Sequence, residues 1–273
     1  MPKKKASSDG TNKLKIRGDK ELAENIVEIS ENHVKQHQAE NPIKTNIRLK
    51  QFPWTEKQKQ FFKIALDRNT KIVFVNGPAG TSKTLLAVYC GLQLMNMKTI
   101  SDIMYLRSAV ESSAHGLGFL PGSAEDKLRF YHLPFLDKIE ELLTDTRAER
   151  LEKEGRVSMF PVNFARGMNW KSKCVILDEA QNSTFKEIVT VLTRLGEGSV
   201  CFVLADPMQT DLKSRQLAGG FEKLQEAFDD DESLAMGIYS FNFTEEDIMR
   251  SELVKFLVKK VNEQKERDEK EGD

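Results

Sequence analysis

The octapeptide GPAGTSKT at residues 77–84 sets small residues beside a lysine and a hydroxyl. Gly77, Pro78, Ala79 and Gly80 put no bulky side chain in the way, so successive backbone N–H groups can turn inward and cradle an anion. Thr81 and Ser82 lead into a helix whose N-terminus adds partial positive charge. Lys83 can then reach the β- and γ-phosphates of a nucleotide, and the Thr84 hydroxyl can ligate Mg²⁺. Ser82 stands where phosphate loops of this spacing carry glycine. If that position needs positive φ, serine costs on the order of 1 kcal/mol more than glycine. The alternative is a tight turn that binds nothing.

Two further stretches bear on that choice. KCVILDEAQN places Asp178 and Glu179 after an apolar run that reads as a buried strand over 173–178. Ligands of open α/β sheets bind at the C-terminal ends of strands. Carboxylates at the edge of an apolar run carry a desolvation cost. Asp178 suits Mg²⁺ held through water, and Glu179 suits the orientation and polarisation of an attacking water. A helix cap ahead of STFKE is the other reading. In VLADPMQTD a second apolar strand ends at Asp206, and Gln209 is placed to sense the γ-phosphate or the water; a polar Asp-Pro turn is the alternative. Gln58, 19 residues before Gly77, could read an adenine edge or be a surface helix glutamine. Phosphoryl transfer also needs a mobile positive charge. Arg107, Arg166, Arg194 and Arg250 are candidates, and each could equally be an ordinary terminal arginine. Arg250 and Arg194 rank first. Arg250 precedes Leu253, Val254, Leu257, Val258 and Val261, which read as the anchor of its helix to the chain's own core.

The elements that must position these residues alternate. Strands read at KIVFVN (71–76), 102–107, 156–160, 173–178, 199–205 and 236–242, and helices at about 82–95, 125–144, 183–195, 217–228 and from 244. Continuous apolar strands between helices imply a parallel sheet covered on both faces. The expectation is an α/β P-loop fold with a helical N-terminal arm. Residues 1–18 carry six lysines and arginines against Asp9, a basic arm that could touch phosphates or simply solubilise. Residues 19–52 read as a helix over 20–38 followed by a linker, 53–262 as the catalytic domain and 263–273 as a charged tail. His33 and His37 stand four apart, but no further ligands complete a metal site.

Composition bounds the class. With 39% hydrophobic and 30% charged residues, the chain reads as a folded globular protein. No apolar run approaches the roughly 20 residues of a membrane span. The basic N-terminus has no apolar stretch behind it, unlike a secretory signal. Cys90, Cys174 and Cys201 are far apart in apolar segments and read as reduced core thiols of a cytoplasmic protein.

GPAGTSKT, RSAVES, LGFLPGS, FARGMNW, VILDEAQN, LTRLGEGS, ADPMQTD and DIMRSELV together resemble the PhoH-like ATPases, in order and spacing over about residues 53–262. Those ATPases are relatives of the first RecA-like domain of superfamily 1 helicases. The resemblance implies a single RecA-like domain that binds ATP and Mg²⁺, assembles as a ring of about six copies and works on RNA or single-stranded DNA. Three departures stand out: Ser82 for glycine, Ala205-Asp206 for Gly-Asp, and one extra residue between Glu111 and Gly118. Some relatives carry an N-terminal nuclease domain. With about 50 residues ahead of the core, none is expected here.

Three functions compete. One is an ATP-driven translocase or helicase, one an ATP-switched binding or assembly protein with slow turnover, and one a small-molecule kinase. The kinase leaves DEAQN unexplained and ranks last.

Overall fold

The computed structural model describes residues 39–108, 124–145, 148–165, 167–206, 209 and 219–249, with isolated positions between 252 and 260; the side chains of 124–132 are not among them. The helix read at 20–38, its two histidines and the loop at 116–122 lie outside that set.

Six strands form one parallel sheet. They are β1 (Ile72–Asn76), β2 (Asp102–Arg107), β3 (Val157–Pro161), β4 (Lys173–Asp178), β5 (Val200–Ala205) and β6 (Ile238–Asn242), in the order β3-β2-β4-β5-β1-β6. The helices are α1 (Glu56–Ala65), α2 (Lys83–Asn96), α3 (Ala124–Leu142), α4 (Ala148–Lys153), α5 (Phe185–Leu192), α6 (Gly220–Ala227) and α7 (Asp231–Ala235).

Alternate strand residues feed two cores. On one face Val73, Ile103, Ile176 and Phe202 pack with Phe61 and Phe62 of α1, Leu86 of α2 and Phe135 of α3. On the other, Phe74, Leu106, Val175 and Val203 pack with Ile188 and Val191 of α5 and Phe221 of α6. Strands buried on both sides explain the continuous apolar runs in the sequence.

Residues 40–52, read as a linker, are fastened to the first face. Ile43 and Ile47 are buried. The Ile47 N–H donates to Asn96 Oδ1 at 2.7 Å, and Asn96 Nδ2 donates back to the Ile47 carbonyl at 2.8 Å. The register matters for chemistry. Arg107 pairs with Asp178 and Asn76 with Ala205, so the ends of β2, β4, β1 and β5 meet at one edge.

Several boundaries shift. The helix after β4 is shorter than 183–195 because the Thr184 side chain caps it, accepting from the Glu187 N–H while the Glu187 carboxylate accepts from the Thr184 N–H. Neither Asp178 nor Glu179 caps that helix. The helix expected from 244 begins as a 3₁₀ turn over Glu245–Asp247. Leu253 and Leu257, read as anchors to the core, are instead 66% and 51% exposed.

Candidate nucleotide site

The loop from Gly77 to Ser82 joins β1 to α2 and opens onto a cavity of about 430 Å³, within the size of small-molecule sites. Gly77 is required sterically: a Cβ there would stand 2.7 Å from the Phe243 Cβ. Thr81 is fully buried, and its hydroxyl donates to the Pro78 carbonyl at 2.9 Å. Ser82 has φ 65 and ψ 20, the left-handed conformation, so the serine does sit where glycine is cheaper. Lys83 Nζ donates to the Gly77 and Pro78 carbonyls at 2.6 and 3.0 Å. Burial lowers its pKa against the opposing pull of Asp206, Asp178 and Glu179.

Asp178 lies under this loop. Thr84 Oγ1 donates to Asp178 Oδ2 at 3.0 Å, and the Tyr105 hydroxyl donates to the same oxygen at 2.7 Å. The Glu179 N–H donates to Asp178 Oδ1 at 3.0 Å. Burial and the Asp178 charge push the Tyr105 phenol well up, which keeps it a donor. Tyr105 carried no signal in the sequence beyond an apolar strand position.

Glu179 adopts the left-handed conformation at φ 54 and makes no capping bond. Its Oε2 accepts from Gln181 Nε2 at 2.7 Å, and its Oε1 lies 3.9 Å from Arg107 Nη2. Gln181 Oε1 accepts from the Asp206 N–H at 3.0 Å, and its Nε2 also approaches the Gln209 carbonyl at 3.5 Å. One glutamine thus spans the ends of β4 and β5. DEAQN displays Gln181, but its bridging role depends on β5 lying beside β4.

Gln209 lines the cavity, as do Lys138 and Glu141 of α3 and Met249. The Met249 N–H donates to the Gly80 carbonyl at 2.9 Å, which ties the residue before Arg250 to the phosphate loop. Gln58 is buried but lies outside this lining; its Oε1 accepts from the Thr55 N–H at 3.0 Å within the cap of α1. Arg194 follows α5 at the opposite edge of the sheet, where its carbonyl accepts from the Trp170 N–H. That is about 15–20 Å of strand away. Arg166 and Arg250 lie outside the described residues.

The charged lining comprises Lys83 and Lys138 against Glu141, Asp178, Glu179 and Asp206. A polyphosphate entering this excess of carboxylates needs a divalent cation between them. Mg²⁺ is commonly held by one or two protein oxygens plus phosphates and water, and Thr84 with Asp178 fits that demand. Among the described residues no cluster of three or more metal-ligating side chains could hold a metal unaided.

A family profile described as PhoH-like protein matches residues 52–262. The chain belongs to the PhoH-like family. A PhoH-like protein of Mycobacterium bovis is 35% identical over 206 residues, covering 76% of this chain and 56% of the relative. A PhoH-like protein of Bacillus subtilis is 38% identical over 149 residues, covering 55% and 46%. Protein PhoH of Escherichia coli is 32% identical over 185 residues, covering 67% and 51%. The chain therefore spans about half the length of these curated relatives. Among solved structures, unliganded Pif1 from Bacteroides is similar at 16% identity and a TM-score of 0.31, over 74% of this chain and 43% of that one.

In this PhoH-like chain the parallel sheet, the loop after β1 and the acidic end of β4 form a P-loop nucleotide-binding fold. No helix among the described residues is long and apolar enough to cross a membrane. The three cysteines are buried and free, and burial pushes their thiols up, which keeps them unreactive.

Proposed function

We propose that this protein is a Mg²⁺-dependent ATPase that couples hydrolysis to the binding or unwinding of RNA or single-stranded DNA as a cytoplasmic ring of about six copies. The observation that carries this reading is the 3.0 Å bond between Thr84 and Asp178 beneath the phosphate loop, with Glu179 as the next residue. The N–H groups of 79–84 cradle the phosphates, and Lys83 leaves the Gly77 and Pro78 carbonyls to meet them. Thr84 and Asp178 would hold Mg²⁺, which would supply charge neutralisation for the phosphates. Glu179 orients the attacking water. Gln209 senses the γ-phosphate beside the Gln181 bridge, and Gln58 reads the base only by releasing the α1 cap that holds it in the free protein.

A neighbouring copy completes the site with an arginine, Arg250 first and Arg194 second. The exposure of Leu253, Phe256 and Leu257 supports an apolar contact between copies. Arg194 stands a sheet height from its own cavity, so it serves only in trans.

A second reading, an ATP-switched binding protein with slow turnover, draws on the strained Ser82 and on a Glu179 held by Gln181.

ATP turnover in Mg²⁺, with and without single-stranded RNA or DNA, separates the two. Stimulation is expected; turnover that never responds to either strand leaves the switch. Light scattering with and without ATP reads the ring, and a monomer at every ATP concentration removes it. Mixing Arg250→Ala with Glu179→Gln protein should restore part of the activity if the arginine acts in trans.

A further inference from the structure

Three adjacent strands, β3, β2 and β4, end in a row at the nucleotide edge of the sheet. What stands at or beyond each end is unusual. β3 runs directly into a 3₁₀ turn, Val162–Ala165, in which Val162 and Ala165 are buried and Phe164 is 60% exposed. β2 ends at Arg107, half exposed. β4 leads through Glu179 and the 3₁₀ turn Ala180–Asn182 to α5, whose first residue, Phe185, is 48% exposed. The 3₁₀ turn after β3 and α5 share the second core through Val162, Ala165, Ile188 and Val191. Both phenylalanines are thus fixed on rigid supports and point away from that core. Lys186 beside Phe185 is exposed and makes no ion pair among the described residues.

Single exposed apolar residues need no explanation, but an aromatic–cation–aromatic row is a pattern. The ends of β3 and β4 stand two strand spacings apart, about 10 Å, and the 3₁₀ turn and α5 that carry the two rings touch each other, a footprint suited to a few nucleotides at about 3.4 Å each. Aromatic rings offer stacking faces that tolerate any base, and interleaved cations track the phosphates. A second copy of the chain fits less well. Two phenylalanine rings supply a few hundred Å² at most, short of the roughly 1,000 Å² that a stable protein interface needs.

We infer that Phe164 and Phe185 form a stacking platform for a single strand of nucleic acid, with Arg107 and Lys186 on its phosphates. This rests on the nucleic-acid reading above and gives it a location. It also gives a route to the nucleotide. Phe185 stands six residues after Glu179, and the short connector between them is pinned where Ser108 Oγ donates to the Asn182 carbonyl at 2.8 Å. A strand pressing on Phe185 bears on the segment that carries the catalytic glutamate.

The test is fluorescence anisotropy of labelled 12-mer oligouridine and oligothymidine over a series of salt concentrations, with variants compared at matched salt. Phe164→Ala and Phe185→Ala should each weaken binding about 5- to 100-fold. Phe185→Tyr should stay near the parent, because it keeps the ring. Lys186→Ala should flatten the salt dependence. Met236→Ala, at an exposed position elsewhere, should change nothing. Affinity for a fluorescent ATP analogue should be the same in all variants. If the parent binds strands and the double alanine variant binds them equally, the platform is wrong while the coupling reading survives. If the parent binds neither oligonucleotide, both fall. If the alanine variants alter particle mass and not strand affinity, the row is a contact between copies and the inference is overturned.

Discussion

Asp178 and Glu179 are adjacent in the chain and live in different worlds. Asp178 is 8% exposed and takes hydrogen bonds on both carboxylate oxygens from Thr84, Tyr105 and the following N–H. The Glu179 side chain is 37% exposed, with one glutamine bond and an arginine at 3.9 Å. The Asp178 end, proposed to hold the metal, is therefore built in advance by the fold. The Glu179 end, proposed to hold the water, is open and held by contacts that can be exchanged. A buried carboxylate must be satisfied before any ligand arrives, whereas a half-exposed one can wait for its partner. Binding should accordingly depend on the chain alone, and hydrolysis on what covers Glu179.

The largest expected effect separates these two ends. Glu179→Gln should cut turnover by about 10²- to 10⁴-fold, the range of general-base catalysis, and leave the affinity for Mg·ATP near the parent value in a filter-binding assay. Parent-level turnover would make the water end something other than Glu179.

Lys83→Ala acts on the other end. It should weaken nucleotide binding by about 2–5 kcal/mol, as when one partner of a buried charge pair is truncated; equal ATP affinity would remove the phosphate-loop assignment. The same lysine sets a pH limit. Its pKa is lowered by burial in the free protein, and phosphate contact raises it. Affinity should therefore be full below the free-state pKa and decline as pH rises through it, from a lower pH than an ordinary lysine would give. Calorimetry at increasing alkaline pH reads this directly.

Stability sharpens the contrast further. Tyr105→Phe removes a hydrogen bond to a charged group, worth about 1.5–3 kcal/mol, while the ring keeps its stack on Phe135 at 4.6 Å. Arg107→Ala loses only a long, solvent-screened pair, and should cost less than about 1 kcal/mol. Comparable urea midpoints for the two would mean the ends are equally built. The smallest effect belongs to Ser82→Gly. Relief of the left-handed serine should stabilise the fold by on the order of 1 kcal/mol and leave nucleotide binding intact. Lost binding would mean that the serine hydroxyl is itself a ligand.

Much of this was legible from local pattern. The phosphate loop, the strand carrying Asp178 and Glu179, and the alternation of strands with helices follow from short-range residue types. Burial on both faces writes itself into a strand as an unbroken apolar run, and a phosphate loop needs its small residues consecutively. Whether Ser82 needs positive φ was left open by the sequence, and the structure decides it at φ 65. Other features were not local. Tyr105 becomes a ligand of Asp178 because β2 lies beside β4 in the sheet order. Gln181 becomes a bridge because β5 is inserted next to β4. Residues 40–52 looked like a linker because two buried isoleucines in a polar stretch have no periodicity to betray them. Leu253 and Leu257 looked like core because apolar spacing marks a helical face without saying what it meets. The sequence by itself determined which residues can do the chemistry and on which elements they ride. Only the tertiary structure decided which of them face each other, because strand order in a parallel sheet is set by long-range packing and leaves no mark on any single segment.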